Sequence, residues 1–313
     1  MSTGNRSGMP GFLVDWAERM NGSHRKMGDY EFSVTETLKD PTAIILRRRH
    51  FNDIVNDLQD TADSNAGTAV HESIEADLKN AGWITEKEVS SVFKVLDGVE
   101  VEICGRLDAY DPTTGTLLDI KNTKIATYNK SASGDDDDWK HQLNIYRHLL
   151  IAEDPSWFMT VDEMKILARI TDLSVVKEKM AGNSIDKWRL LPIEIESGTE
   201  SIDKALATIA QVISMKDLSD EALPICSDKY RFATKTWKIY GFTKDGKPKA
   251  KAENGHASYQ SLAEAEEGFK KAGFTENDHT IKEVGGESLR CRYYCDVKDF
   301  CPHYKKMMEA KNG

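Results

Sequence analysis

Apolar positions early in the chain recur close to helical spacing. Ile44, Ile45, Leu46, Phe51, Ile54, Val55 and Leu58 mark residues 41–59 as a helix. Asp40 supplies an N-cap oxygen, and Pro41 takes the first helical position, where a missing N–H costs nothing. Residues 1–60 therefore read as mostly helical. The period then changes. A helix over residues 67–78 gives way to strands at 89–96 and 100–110, and in the second Val101, Ile103, Gly105 and Leu107 alternate with other residues. Asp111-Pro112-Thr113-Thr114-Gly115 is a turn into a strand at 116–122, so these stretches read as a hairpin. A helix at 138–152 and a strand at 163–170 complete a mixed α/β core spanning 61–215. The last part, 216–313, carries a strand at 237–242 and a helix at 261–272. Ser261 and Glu264 form a capping box at the start of that helix.

A chain of 313 residues with 39% hydrophobic and 30% charged content can bury one large core with a smaller appendage. No apolar run is long enough to span a membrane. The first twenty residues lack the charged-then-apolar layout of a secretory signal, so a cytoplasmic protein is expected. The net charge of −10 argues against a nucleic-acid binder taken as a whole, but a site that gathers divalent cations is itself acidic. Two basic clusters remain as phosphate-holding surfaces or plain solvated ones. They are Arg47-Arg48-Arg49, and Lys229 to Lys251, where eight basic residues enclose one acid, Asp245.

Four short patterns carry candidate chemistry: Gly67-Thr68-Ala69-Val70-His71 at a helix start, Gly105-Arg106-Leu107-Asp108 near a strand end, Asp119-Ile120-Lys121 on the next strand, and Gln142-Leu143-Asn144-Ile145-Tyr146 on a helix. Strand side chains alternate, so Asp119 and Lys121 share a face. With Asp108 on the partner strand, two carboxylates approach one another, and a divalent cation relieves their repulsion. Oxygen donors suit Mg²⁺ or Mn²⁺, and His71 as a further ligand favours Mn²⁺. Each pattern alone is commonplace; the ordered set is specific.

The set resembles the RecB-like branch of the PD-(D/E)XK nucleases, which includes CRISPR-associated exonucleases and AddAB-type recombination nucleases. The resemblance covers residues 67–146. It implies a restriction-endonuclease-like mixed sheet flanked by helices and a metal-dependent DNA nuclease, an exonuclease more than an endonuclease. Such an enzyme would act in recombination, repair or phage DNA processing, with DNA and recombination or replication proteins as partners. By resemblance His71, Asp108, Asp119 and the carbonyl of Ile120 bind metal and Lys121 is the catalytic lysine. Gln142 and Tyr146 contact DNA or brace the site. Ser33-Val34-Thr35-Glu36-Thr37-Leu38 and the following arginines resemble phage-encoded members. A nuclease fold used as a silent DNA-binding or assembly subunit is the rival reading.

Cys291, Cys295 and Cys301 crowd together near the C-terminus, whereas Cys104 and Cys226 are distant. Clustered thiols in a cytosolic chain point to metal rather than disulfides. Three thiolates need a fourth ligand, Cys226 first and His303 second, while Cys104 reads as a small buried residue. Iron–sulfur nucleases of the superfamily end on a similar set, which implies a [4Fe–4S] cluster with structural Zn²⁺ as the alternative. Here the closing gap is three residues, and the distant cysteine follows the histidine motif. The acidic run Asp135–Asp138 reads as a solvated loop opening a helix. Arg290, Arg292, Tyr293 and Tyr294 interleave charge with aromatics, which suits either a grip on single-stranded DNA or packing around the cluster.

Overall fold

The first helix of the core stops at its arginines. Asp40 Oδ1 accepts from the Thr42 N–H at 3.1 Å and Pro41 opens the helix, as its sequence requires. The helix ends at Arg49, not at residue 59, with Arg47, Arg48 and Arg49 against the negative end of its dipole. The N–H groups of Asp53 and Ile54 turn back onto the His50 carbonyl at 2.9 and 3.1 Å, which breaks the helical path. Ile54 and Leu58 are buried nonetheless, so the apolar pattern marks core positions that two different elements share.

The computed structural model describes residues 1–20, 26–154, 161–182, 184–244, 246–248, 259 and 261–312. The early chain comprises β1 (Ser2–Gly4), α1 (Gly11–Met20), β2 (Glu31–Ser33), α2 (Val34–Thr37), α3 (Pro41–Arg49) and β3 (Val55–Asp57). Strands thus interrupt the mostly helical segment expected there. Next come α4 (Ala62–Asn80), β4 (Ile84–Val95), β5 (Val99–Asp111), β6 (Thr116–Thr123), α5 (Ile125–Ser133), α6 (Asp138–Glu153), β7 (Glu163–Ile170), α7 (Val175–Met180), β8 (Trp188–Ile193) and α8 (Glu200–Met215). Beyond them lie α9 (Asp228–Arg231), β9 (Ala233–Gly241), α10 (Leu262–Lys271), β10 (His279–Ser288), α11 (Leu289–Tyr293) and α12 (Pro302–Asn312).

The chain forms two units, Met1–Leu223 and Pro224–Gly313. Residues 1–60 do not stand apart from the core, because β2 is a parallel neighbour of β5. The segment after α8 also belongs to the first unit. Arg49 clasps the carbonyls of Lys216 and Leu218 and pairs with Asp220 at 2.5 Å.

The first unit is mixed α/β, a sheet of parallel and antiparallel strands flanked by helices. Its order is β2-β5-β6-β7-β8, with β4 paired antiparallel along β5. Burial follows the pattern. β7 alternates, burying Met164, Ile166, Ala168 and Ile170, whereas the central β6 is buried over Thr116–Ile120. The turn before β6 forms as read, with Asp111 Oδ1 accepting from the Thr113 N–H at 2.8 Å and Gly115 at φ +66°. Helix α4 packs on β4, β5 and β6, while α6 packs on β4, β5 and β8. In the second unit β9 and β10 form an antiparallel pair. The Ser261 hydroxyl caps α10 by accepting from the Glu264 N–H at 3.1 Å. Among the described residues no helix is long and apolar enough to cross a membrane.

Candidate active site

The site forms where one strand changes neighbours. On the edge of β5 away from β4, β2 pairs with Glu102–Cys104 and β6 pairs with Ala109–Asp111. Gly105–Asp108 fill the gap between them, with no strand partner on that edge among the described residues. Asp108 closes this fork with its side chain: Oδ2 accepts the Ile120 N–H at 2.7 Å. The fork opens towards α4 and α6, which carry the other two motifs.

Both motif glycines sit at close approaches. A Cβ on Gly105 would lie 2.6 Å from Tyr146 Cε1 and 3.0 Å from Val34 Cγ2, so only glycine admits the tyrosine ring to the fork. Gly67 lies against Asn122, whose Nδ2 donates to the Gly67 carbonyl at 3.1 Å, tying α4 to the residue that follows Lys121. One turn before Tyr146, Gln142 Nε2 donates to Asp119 Oδ1 at 3.0 Å.

His71, Asp108, Asp119, Lys121 and Gln142 thereby converge. His71 Nε2 stands 3.1 Å from Asp108 Oδ2. Lys121 Nζ lies 2.9 Å from Asp119 Oδ1 and 2.8 Å from Oδ2. Asp119 is buried, and among the described residues its Oδ2 receives no directed hydrogen bond. Burial, reinforced by Asp108, pushes the Asp119 carboxyl up to about 6 despite Lys121. Burial would also raise Asp108, but the His71 hydrogen bond, the Lys121 charge and the Ile120 N–H outweigh it and lower that carboxyl. The Asp108 hydrogen bond raises the His71 imidazole. For Lys121 burial opposes the charge, yet Asp119 and Asp108 prevail and hold its pKa above the usual value. Burial chiefly raises the Tyr146 phenol, which bonds Gln142. The Ile120 side chain is buried and points no chemistry at the site.

Two carboxylates escaped sequence reasoning. Ligand atoms of His71, Glu75 and Glu86 lie within 4.8 Å of one another. Glu75 is legible in hindsight, one turn beyond His71 on α4. Glu86 is not, because it depends on a positive φ of 53° in β4 opposite Asp108, where the β4–β5 pairing skips a residue. Its Oε2 pairs with Arg106 Nε at 2.5 Å, and burial raises its pKa against the pull of that arginine.

In the first basic cluster Arg48 is engaged inward. Arg48 grips Glu36 with two hydrogen bonds of 2.9 Å, donates to the Glu31 carbonyl and stacks on Phe32 at 4.0 Å. Ser33 caps α2, and Val34 meets Gly105. Arg48 therefore braces segment 33–38 behind the fork, while Arg49 is exposed and pairs with Asp220. Of the second cluster, Asp245, Lys249 and Lys251 lie outside the described residues.

Cys226, Cys291, Cys295 and Cys301 all belong to the second unit, whereas Cys104 lies on β5 with its thiol 3.6 Å from Glu31 Oε1, partly rather than fully buried. Burial and then the neighbouring Cys295 and Cys301 push the Cys291 thiol up, and burial chiefly raises Cys295. Burial chiefly raises the half-buried Tyr230 phenol, and Cys295 and Cys226 both act on it in the same direction.

No protein-family model and no curated protein matches the chain. Among solved structures, one described as the crystal structure of SSO0001 is similar at 18% identity with a TM-score of 0.48, over 67% of this chain and 88% of that one. The functional reading therefore rests on this chain's own residues.

Proposed function

We propose that the chain is a metal-dependent DNA nuclease of the PD-(D/E)XK superfamily, RecB-like branch, that hydrolyses phosphodiester bonds in recombination, repair or phage DNA processing. The observation that carries this reading is the fork itself, where motifs drawn from residues 67–146 meet around one buried carboxylate, Asp119, whose oxygens face Gln142 and Lys121. A hard divalent cation suits those oxygens. His71 Nε2, Asp108, Asp119 and the Ile120 carbonyl would hold Mg²⁺ or Mn²⁺, which when bound polarises the phosphoryl group and acidifies water. Gln142 anchors Asp119 Oδ1, and Oδ2, now 2.8 Å from the Lys121 ammonium, would be the oxygen to turn to the cation. Lys121, partly exposed beside that carboxylate, orients the attacking water and opposes charge that grows on the phosphate. Asp108, held down by His71 and the Ile120 N–H, stays ionised at neutral pH.

The four cysteines of the second unit fit a thiolate-bound cluster. The group they would hold is a [4Fe–4S] cluster, with structural Zn²⁺ as the alternative.

Anaerobically purified protein incubated with end-labelled single- and double-stranded DNA tests the reading. Cleavage is expected with Mn²⁺ or Mg²⁺, none with EDTA, and none in folded Lys121→Ala or Asp108→Ala. Activity at wild-type level in either variant refutes the site. Absence of cleavage in the wild type favours a silent binding subunit.

A further inference from the structure

We propose that the corner of the second unit built by α9, Phe232 and α11 is a stacking surface for single-stranded DNA. The sequence alone leaves the alternation of Arg290, Arg292, Tyr293 and Tyr294 with two uses, gripping a strand or packing a metal cluster. Exposure separates them. Tyr293 is 57% exposed and Tyr294 69%, whereas rings that packed a cluster would be covered. Phe232, on the neighbouring helix end, is 41% exposed. Six aromatic side chains are prominently exposed among the described residues, and three of them share this corner.

The rings are held, not loose. The Arg290 guanidinium lies between Tyr230 and Phe232, 4.2 and 4.3 Å from their centroids. Tyr230 is half-buried and Phe232 exposed, so the arginine ties the solvent-side ring to the inner one. Phe232 caps α9 in the left-handed region, φ +51° and ψ +44°, where a bulky residue is rare and glycine is usual. The corner keeps a ring at that position despite its backbone cost. Arg292 sits 5.1 Å over the Tyr293 ring, and Tyr293 meets Tyr294 edge to face at 6.3 Å.

Exposed ring faces with cations stacked among them match an unpaired strand. Its bases present open π-faces to aromatics and its phosphates meet the arginines, whereas a duplex hides those faces. The charge distribution agrees. Residues 224–313 carry 17 Lys and Arg against 13 Asp and Glu, a net +4 in a chain whose total is −10. The acidic excess belongs to the first unit, so a polyanion is drawn to the second. The choice of DNA rests on the nuclease reading; the stacking does not.

The test is fluorescence anisotropy of a labelled oligothymidylate with the full-length protein in EDTA, so that no cleavage intervenes. Tyr293→Ala/Tyr294→Ala is expected to weaken binding by about tenfold or more, and Tyr293→Phe/Tyr294→Phe to retain it. A blunt duplex of equal length is expected to bind more weakly than the single strand. Wild-type affinity in the double alanine variant, or equal affinity for the duplex, overturns the proposal. Should the double variant misfold, Tyr294→Ala alone removes the more exposed ring and is read the same way. Cleavage with Mn²⁺ is measured in parallel. Strand binding without any cleavage removes the nuclease reading and leaves the stacking surface, while cleavage with undiminished binding by the alanine variant does the reverse.

Discussion

Replacing Gly105 by alanine sets two effects against each other. Its φ lies outside the left-handed region, so alanine fits the backbone and, by restricting the unfolded chain, would stabilise by about 0.4–1 kcal/mol. The new methyl, however, falls 2.6 Å from Tyr146 Cε1 and 3.0 Å from Val34 Cγ2, well inside the roughly 3.5–4.0 Å at which carbons attract. Something must shift by about 1 Å on that scale. Tyr146 is 5% exposed and Val34 fully buried, so neither ring nor methyl can swing into solvent. Overpacking of this kind costs about 1–3 kcal/mol. The clash wins, and a net loss of about 1–2 kcal/mol is expected by urea denaturation followed by circular dichroism. The displacement also reaches Gln142 one turn away, so the proposed nuclease activity should fall by more than stability explains. Two comparisons isolate the cause. In a Tyr146→Ala background the same substitution should cost much less, leaving only the tight Val34 contact, a coupling read by a double-mutant cycle. Gly67→Ala, whose Cβ would meet Asn122 at an ordinary 3.4 Å inside α4, should stabilise by up to about 1 kcal/mol. A Gly105→Ala protein as stable as wild type, with Tyr146 in place, refutes the account of the fork.

Arg48→Ala should destabilise by about 3–5 kcal/mol, since it strands the buried Glu36 carboxylate, and Arg48→Lys should recover little because a single ammonium cannot repeat the two-pronged grip; thermal melts decide. Cys226→Ser should lower bound iron measured by elemental analysis, whereas Cys104→Ser, in the other unit, should leave it unchanged; equal metal content in both removes Cys226 from the ligand set.

The sequence was readable where one local period decided the element. β7 spans the residues its alternation marks, α6 is one residue longer than its pattern, and the Ser261 cap sits where the capping box puts it. Failures share a cause, since the deciding contact came from elsewhere. Apolar residues 54–58 keep helical spacing yet belong to a turn and β3, because His50 ends the helix and β1 recruits the chain. β2 is three residues long and carries no period of its own; it is a strand because β5 offers an edge. The site divides along the same line. Asp108, Asp119 and Lys121 follow from strand alternation and the hairpin, but Glu86 reaches the site through a positive φ that its local sequence does not signal.

Gly105, Asp108, Gln142 and Tyr146 can be traced to a single requirement, an open fork in a sheet. A strand that leaves one neighbour for another exposes a few backbone groups, and something must satisfy them. Asp108 does so by taking the Ile120 N–H, which fixes its carboxylate beside Asp119 and commits the local chain to a hairpin. The fork must also be filled, and a buried tyrosine fills it only if the strand beneath lacks a side chain, hence Gly105 with Tyr146. Once α6 is pinned by that ring, Gln142 falls opposite Asp119 by helical spacing alone. The costs remain visible: a carboxylate raised to about 6 by burial, and an acceptor oxygen with no hydrogen bond. A sequence selected only for stability would remove that buried charge, because an apolar residue of similar volume fits such a position at lower cost. Its place beside a lysine, a histidine and a second carboxylate is therefore a stability cost that the proposed metal site would account for.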